Sequence, residues 1–380
     1  MLRAATHRTP IYRDSGFLFH DITEAELTFR QERQHPVSAE SFVYTRYGNP
    51  TVCAAEQQLA QLEGSRWAAL TSSGMSAIDT ALSIFQKGEK TGTWLFFSEL
   101  YGGTNAYIEN ILKATRGISI DYFNPSEDSY DFQEFCEKLD TIKPSLIFME
   151  SVSNPLLIVP DAQKMLCAAR ERGIKTIVDN TFGTPFLWQP LEDNADIVVH
   201  SATKYISGHG NITAGLLCGN NDTIHDAVLD YRKFTGCILS PDDAYRLQTQ
   251  ACTFKLRFAK QCDNAYKIAK LLSQSKSVSR VLYPGLESHK TFNNANALFK
   301  GKGFGGMVTF ELTGGRAMCD AFVTQVHDHI RYIPTLGDIN SILLHPHTVF
   351  GAKYPESMIR LSVGCEDYPY LQQLLESSLG

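Results

Sequence analysis

At 380 residues, with 43% hydrophobic side chains and a formal net charge of −6, the sequence is long enough to build a large core and carries no basic surplus for nucleic acid. Its longest apolar runs, around residues 146–149 and 197–199, are too short to span a bilayer, and residues 1–19 lack a signal-peptide core, so a cytoplasmic protein is expected. The nine cysteines are odd in number and scattered from Cys53 to Cys365, which predicts reduced structural thiols, not disulfides or a metal site.

Residues 1–41 mix polar clusters with short apolar pieces, predict no strong periodic element, and fit an arm reaching a neighbouring subunit. Apolar residues then recur at helical spacing over 50–62 and 76–85. From residue 94 to about 197, short apolar runs at 94–97, 118–122, 146–149, 177–178 and 197–199 alternate with helical stretches. That alternation predicts βα units and a mostly parallel sheet, whose crevice lies at the carboxyl ends of the strands. Glu150, Asp179 and His200 occupy such ends. After about Gly236 the pattern changes to one long helix over 242–272, followed by strand-like pieces at 308–312 and 341–344, a smaller α+β domain. The expected division is an arm over 1–45, an α/β domain over 46–235 and a C-terminal domain over 236–380.

Three chemical features converge on the strand ends. Lys204 follows the predicted strand 197–199 in the stretch His200-Ser201-Ala202-Thr203-Lys204, which lets its amine rise into the crevice. Asp179 closes the strand Thr176-Ile177-Val178, where a buried carboxylate calls for a cationic partner; it is equally suited to capping the turn with Asn180 and Thr181. Ser73-Gly74-Met75 precedes the helix over 76–85, whose free amides and dipole would face an anion, and Ser201 and Thr203 add hydroxyls, although both also suit turns. An amine, an anion for a pyridine nitrogen and a phosphate cradle are what pyridoxal 5'-phosphate requires. The run Gly301-Lys302-Gly303-Phe304-Gly305-Gly306 is not a dinucleotide loop, because a strand follows it instead of a helix. The histidine pairs His327/His329 and His345/His347 have no converging carboxylates or thiolates, so no metal is expected there.

Several segments then occur together in a diagnostic order: Tyr44-Thr45-Arg46-Tyr47-Gly48-Asn49-Pro50-Thr51, Ser73-Gly74-Met75, Leu100-Tyr101-Gly102-Gly103-Thr104, residues 150–155, Asp179-Asn180-Thr181-Phe182, residues 198–204 and Ile359-Arg360-Leu361-Ser362-Val363-Gly364. In them the protein resembles the Cys/Met-metabolism pyridoxal-phosphate enzymes over nearly its whole length. That group includes cystathionine γ-synthases, cystathionine γ-lyases, methionine γ-lyases and O-acetylhomoserine sulfhydrylases. The resemblance implies the type I fold of pyridoxal-phosphate-dependent transferases. It makes Lys204 the lysine that tethers the cofactor and later acts as base, Asp179 the partner of the ring nitrogen, and Tyr101 the ring stacked over the cofactor. It assigns Ser73, Gly74, Met75, Ser201 and Thr203 to the phosphate, with Tyr44 and Arg46 reaching the phosphate of an adjacent subunit. A homodimeric active unit, paired again into a tetramer, follows from the resemblance. Asn154 and Arg360 match the groups that receive the substrate carboxylate, and Thr335 stands in the family's Ser-Leu-Gly position.

Two departures bear on substrate. Pro334 replaces the glutamate that precedes Ser-Leu-Gly in many cystathionine-handling members, and Gly103 stands where methionine γ-lyases typically carry a cysteine. Gly208-His209-Gly210-Asn211 and Gly337-Asp338 look closer to the lyase and sulfhydrylase branches than to the synthases. The expected reaction is γ-elimination, which breaks the carbon–sulfur bond in the side group of a sulfur amino acid. A γ-replacing transferase is the alternative, and a non-catalytic cofactor-binding protein a remote one.

Overall fold

The computed structural model describes residues 7–31, 42–86, 88 and 91–379. Expectations for residues 1–6 and 32–41 of the arm therefore lie outside the described residues. Among those described, a helix, α1 (Ile22–Gln31), forms where no periodic element is expected from the sequence. Asp21 accepts from the Glu24 N–H and Glu24 from that of His20, so a short polar capping arrangement starts the helix.

The helix α2 (Pro50–Glu63) is fixed at both ends by local chemistry. Asn49 accepts from the N–H groups of Thr51 and Val52, Pro50 occupies the first turn, and Gly64 terminates the helix at φ 71°. Seven strands follow in the larger sheet: β1 (Trp67–Thr71), β2 (Trp94–Phe97), β3 (Ile120–Phe123), β4 (Leu146–Glu150), β5 (Lys175–Asp179), β6 (Ile197–Ser201) and β7 (Gly215–Gly219). Their order is β1-β7-β6-β5-β4-β2-β3; β7 runs antiparallel to both neighbours, and the other pairs are parallel. Every residue of β2 is buried, as is all of β4 before Glu150. Continuous apolar runs of this kind belong to a parallel sheet covered on both faces, and each Phe buried there contributes roughly 2 kcal/mol.

A second sheet holds β8 (Val278–Leu282), β9 (Met307–Leu312), β10 (Arg331–Tyr332), β11 (Ile342–Leu344) and β12 (Met358–Ser362) in the order β10-β11-β12-β9-β8. It has its own core, built from Val308, Phe310, Ile359 and Leu361 against Phe322 and Leu375. The single helix expected over 242–272 is two helices, Pro241–Ala251 and Phe254–Gln274. At the break, Cys252 and Thr253 make tight N–H bonds to Thr249 and Gln250. The second helix then carries Arg257 to the carbonyls of Tyr205 and Ile206 at 3.0 and 2.9 Å. Both halves are apolar on one face, so the periodicity runs through the bend without marking it.

Candidate active site

The carboxyl ends of β4, β5 and β6 open into a cavity of about 450 Å³ that residues of the second sheet close from the other side. Two further helices shape it: α3 (Gly74–Ser83) after β1, and α4 (Gly102–Tyr107) after β2. Register decides which strand residues enter. Glu150 is paired with Asp179, and Asp179 with Val199. Paired residues of neighbouring strands point to the same face, so Glu150, Asp179 and, two residues beyond Val199, Ser201 all line the cavity.

His200 has the opposite parity. It turns away from the crevice expected from its position, is 1% exposed, and its Nε2 lies 2.8 Å from the Glu63 carboxyl of α2. That pair is a buried strut behind the site.

Asp179 makes the turn contact open to it in the sequence and keeps its carboxyl at the cavity. Its Oδ1 accepts the Thr181 N–H at 2.9 Å, closing the turn, while the carboxyl still lines the cavity. Burial pushes its pKa up, against the opposing effect of the Thr181 bonds. A carboxylate so placed is stabilised by a cationic neighbour.

At another wall, Ser73 caps α3 by accepting the Ser76 N–H at 3.0 Å. Gly74 follows, so close to β6 that a Cβ there would lie 2.8 Å from the Ser201 Cβ. The missing side chain brings the amino end of a ten-residue helix, Met75 and Ser201 to one corner of the cavity. Thr203 lines it as well, with its hydroxyl donating to the Ala214 carbonyl and accepting the Ala214 N–H.

Lys204 stands between these groups. Its Nζ donates to the Thr335 hydroxyl at 2.8 Å, and its pKa is pushed down to about 8, first by burial and then by the charge of Arg360. Thr335 reaches it because Gly337, at φ 82°, allows the 335–337 loop to lie directly on the lysine backbone: a Cβ on residue 337 would be 2.6 Å from the Tyr205 nitrogen. The Ser362 hydroxyl accepts the Gly337 N–H at 2.8 Å and pins that loop to β12.

Arg360, on β12, is buried and lines the cavity. Its Nη1 donates to Asn154 Oδ1 and its Nη2 to the Thr335 carbonyl, both at 2.9 Å, while its buried Nε has no hydrogen-bond partner among the described residues. Burial lowers its pKa to about 10. Tyr101 lies at the mouth, 47% exposed, its ring folded over Gly103. Tyr44 and Arg46 do not line this cavity; the Arg46 guanidinium donates to the Lys233 carbonyl at 2.6 Å and lies 5.5 and 5.0 Å from the rings of Tyr44 and Tyr47.

The cavity therefore presents a buried carboxyl, a helix terminus suited to a phosphate, and an amine of lowered pKa. These residues fit pyridoxal phosphate in the chemistry of each donor, with the carboxylate for the ring nitrogen and the helix end for the dianion. Glu150 also lines the cavity; the sequence marks it as a strand end and as the start of the segment 150–155, without assigning it a role.

The Cys/Met metabolism PLP-dependent enzyme family model matches residues 3–380. A cystathionine β-lyase of Lactococcus lactis subsp. cremoris is 36% identical over 335 residues, covering 86% of this chain and 85% of that protein. An L-methionine γ-lyase of Pseudomonas putida is 33% identical over 385 residues, 97% of this chain and 92% of that protein. Among solved structures, metB from Corynebacterium glutamicum superposes with a TM-score of 0.88 at 32% identity, covering 98% of this chain and 93% of that one. A cystathionine γ-synthase from Xanthomonas oryzae pv. oryzae, in complex with aminoacrylate and cysteine, gives 0.88 at 30%, with coverages of 98% and 92%. With sequence match and fold agreeing along its whole length, the protein belongs to the Cys/Met-metabolism enzymes that depend on pyridoxal phosphate.

Proposed function

We propose that the protein cleaves the carbon–sulfur bond in the side group of a sulfur amino acid by γ-elimination. Water and a thioether such as methionine give 2-oxobutanoate, ammonium and the thiol. The observation that carries this reading is the part of the second-sheet lining that lies apart from Arg360. Segments 334–336 and 344–350 bring Pro334, Thr335, Leu336, Leu344, Val349 and Phe350 to the cavity, and no ionisable side chain. Such a wall favours a small apolar thioether over a substrate ending in charge, because an unpaired ammonium or carboxylate would be desolvated there. Of the lyase relatives named above, the L-methionine γ-lyase accords with that reading and the cystathionine β-lyase with the β-eliminating outcome of the test below.

In this reading, Lys204, Asp179, Ser73, Gly74, Met75, Ser201 and Thr203 hold the cofactor. When bound, pyridoxal phosphate supplies an electron sink for negative charge at the substrate's α-carbon. Arg360 binds the substrate carboxylate, with Asn154 fixing the plane of the guanidinium; a planar fork gives bidentate geometry. Lys204, whose pKa of about 8 leaves part of its amine unprotonated near neutrality, takes the α-proton at Nζ. Thr335 holds Nζ in place through the 2.8 Å bond. Tyr101, at the mouth, manages the proton of the departing sulfur. We further propose that Tyr44 and Arg46 complete the phosphate site of a second copy, making the active unit a dimer.

The test is product analysis with purified holoenzyme. Methionine and homocysteine should release 2-oxobutanoate, and methionine should compete well with cystathionine as a source of it. Pyruvate from cystathionine would instead mean β-elimination. Efficient thioether formation from O-acetyl- or O-succinylhomoserine with cysteine or sulfide, and negligible 2-oxo acid, would make the protein a γ-replacing transferase.

A further inference from the structure

Glu150 ends β4 beside Asp179, with which it is in register, and both carboxyls line the same cavity. Two ionised carboxylates in that arrangement would repel one another, and a third, Glu99, lies close enough to add to the repulsion. Glu99 has its own cation, Lys353, whose Nζ donates to it at 2.6 Å. The hydrogen bond made by Glu150 is of another kind: its Oε1 accepts the backbone N–H of Tyr101 at 2.6 Å.

That N–H belongs to the residue immediately before α4. Tyr101 has non-helical backbone angles, φ −48° and ψ 136°, and its own side chain makes no capping bond to the helix. In a capping box, a glutamate in the first turn reaches back to the N–H of the capping residue. In α4 that first turn begins Gly102-Gly103-Thr104 and holds no acid, so Glu150 makes the equivalent bond from a neighbouring strand.

We propose that Glu150 is a positioning residue for Tyr101: its Oε1 accepts the Tyr101 N–H, sets where the first turn of α4 begins, and thereby places the phenol at the mouth of the cavity. The inference rests on the role given to Tyr101 above. Burial, followed by the charges of Asp179 and Glu99, raises the Glu150 pKa well above the usual carboxylate range. The bond therefore needs a carbonyl-type acceptor at this reach and not a negative charge. A glutamine supplies that acceptor, whereas an aspartate keeps the acid but falls one methylene short.

Three holoenzyme variants test this: Glu150→Gln, Glu150→Asp and Glu150→Ala. Hydrogen–deuterium exchange over residues 98–107 should quicken at least tenfold in the Asp and Ala variants while the rest of the protein exchanges as before. In the same two variants kcat should fall at least tenfold, with KM changed less than threefold, and Glu150→Gln should recover most of both losses. The cofactor's absorption should be retained in all three. The proposal is overturned if exchange over 98–107 is unaltered in Glu150→Ala, or if Glu150→Asp matches the parent while Glu150→Gln does not. Should the alanine variant fail to fold, the aspartate and glutamine pair decides alone. The exchange measurement needs no substrate, so it stands even if product analysis changes the reaction assigned above.

Discussion

The Nζ of Lys204 donates to the hydroxyl of Thr335 at 2.8 Å, joining the end of β6 to a loop of the second sheet 131 residues away. Around this contact the cavity is closed, and through it the lysine is held in a buried place where its charge is disfavoured.

The lowered pKa of Lys204 has a signed consequence for the cofactor-free protein. Well below a pH of about 8 the amine is protonated in both the folded and the unfolded state, and the cost of burying it stands in full. Between about 8 and the ordinary 10.5 the unfolded state holds a proton that the folded state has released, so stability rises with pH. Measured against Lys204→Met by chemical denaturation, the parent should gain up to about 3 kcal/mol across that window. A difference that stays flat with pH would refute the assignment.

Arg360→Lys keeps the charge but loses the fork that spans Asn154 and the Thr335 carbonyl. The expected cost is about 2 kcal/mol in transition-state stabilisation, a fall of roughly 30-fold in kcat/KM. Steady-state kinetics on the substrate that product analysis identifies will check it.

Gly74→Ala inserts a methyl group 2.8 Å from the Ser201 Cβ and forces α3 and β6 apart at the corner assigned to the phosphate. Alanine is the better helix former, so the fold should persist. Cofactor affinity should fall at least tenfold, about 1.4 kcal/mol, which equilibrium dialysis followed by absorbance would measure.

Glu63 and His200 are buried partners on the far face of the large sheet. Glu63→Leu strands the His200 ring and should cost about 3 kcal/mol of stability. Pairing it with His200→Phe should recover part of that loss, because two apolar groups leave nothing unsatisfied. Denaturant midpoints of the single and double variants decide the point.

If Arg46 acts at the cavity of a second copy, Arg46→Ala and Lys204→Ala subunits should each be impaired alone and regain activity when mixed. Mixed dimers contain one cavity in which both residues are intact. Failure of any mixture to exceed its components would assign Arg46 to its own subunit, where it meets Lys233 and the Tyr44 and Tyr47 rings.

The apolar runs of β2, β4, β5 and β6, the helical spacing of α2, and the placement of Asp179 and Lys204 at strand ends were legible in the sequence because each depends on neighbouring residues alone. β1, with the sequence WAALT, and β7, GLLCG, were not: alanine and glycine give little strand signal, and these two are strands because each pairs with the other. Nor did the residues announce the bend at Cys252, since both helices keep an apolar face through it.

His200 shows the limit most clearly. Side chains alternate along a strand, so its face depends on parity against Asp179, and register is a property of two strands together. In a sheet buried on both sides, no polar alternation marks which face is which. Sequence by itself determined the family and the fold class, and placed an amine and a carboxyl at strand ends. Tertiary structure decided that His200 faces Glu63, that Glu150 meets the Tyr101 backbone, and that Thr335 reaches Lys204, because each of these contacts joins segments whose separation in sequence says nothing of their distance in space.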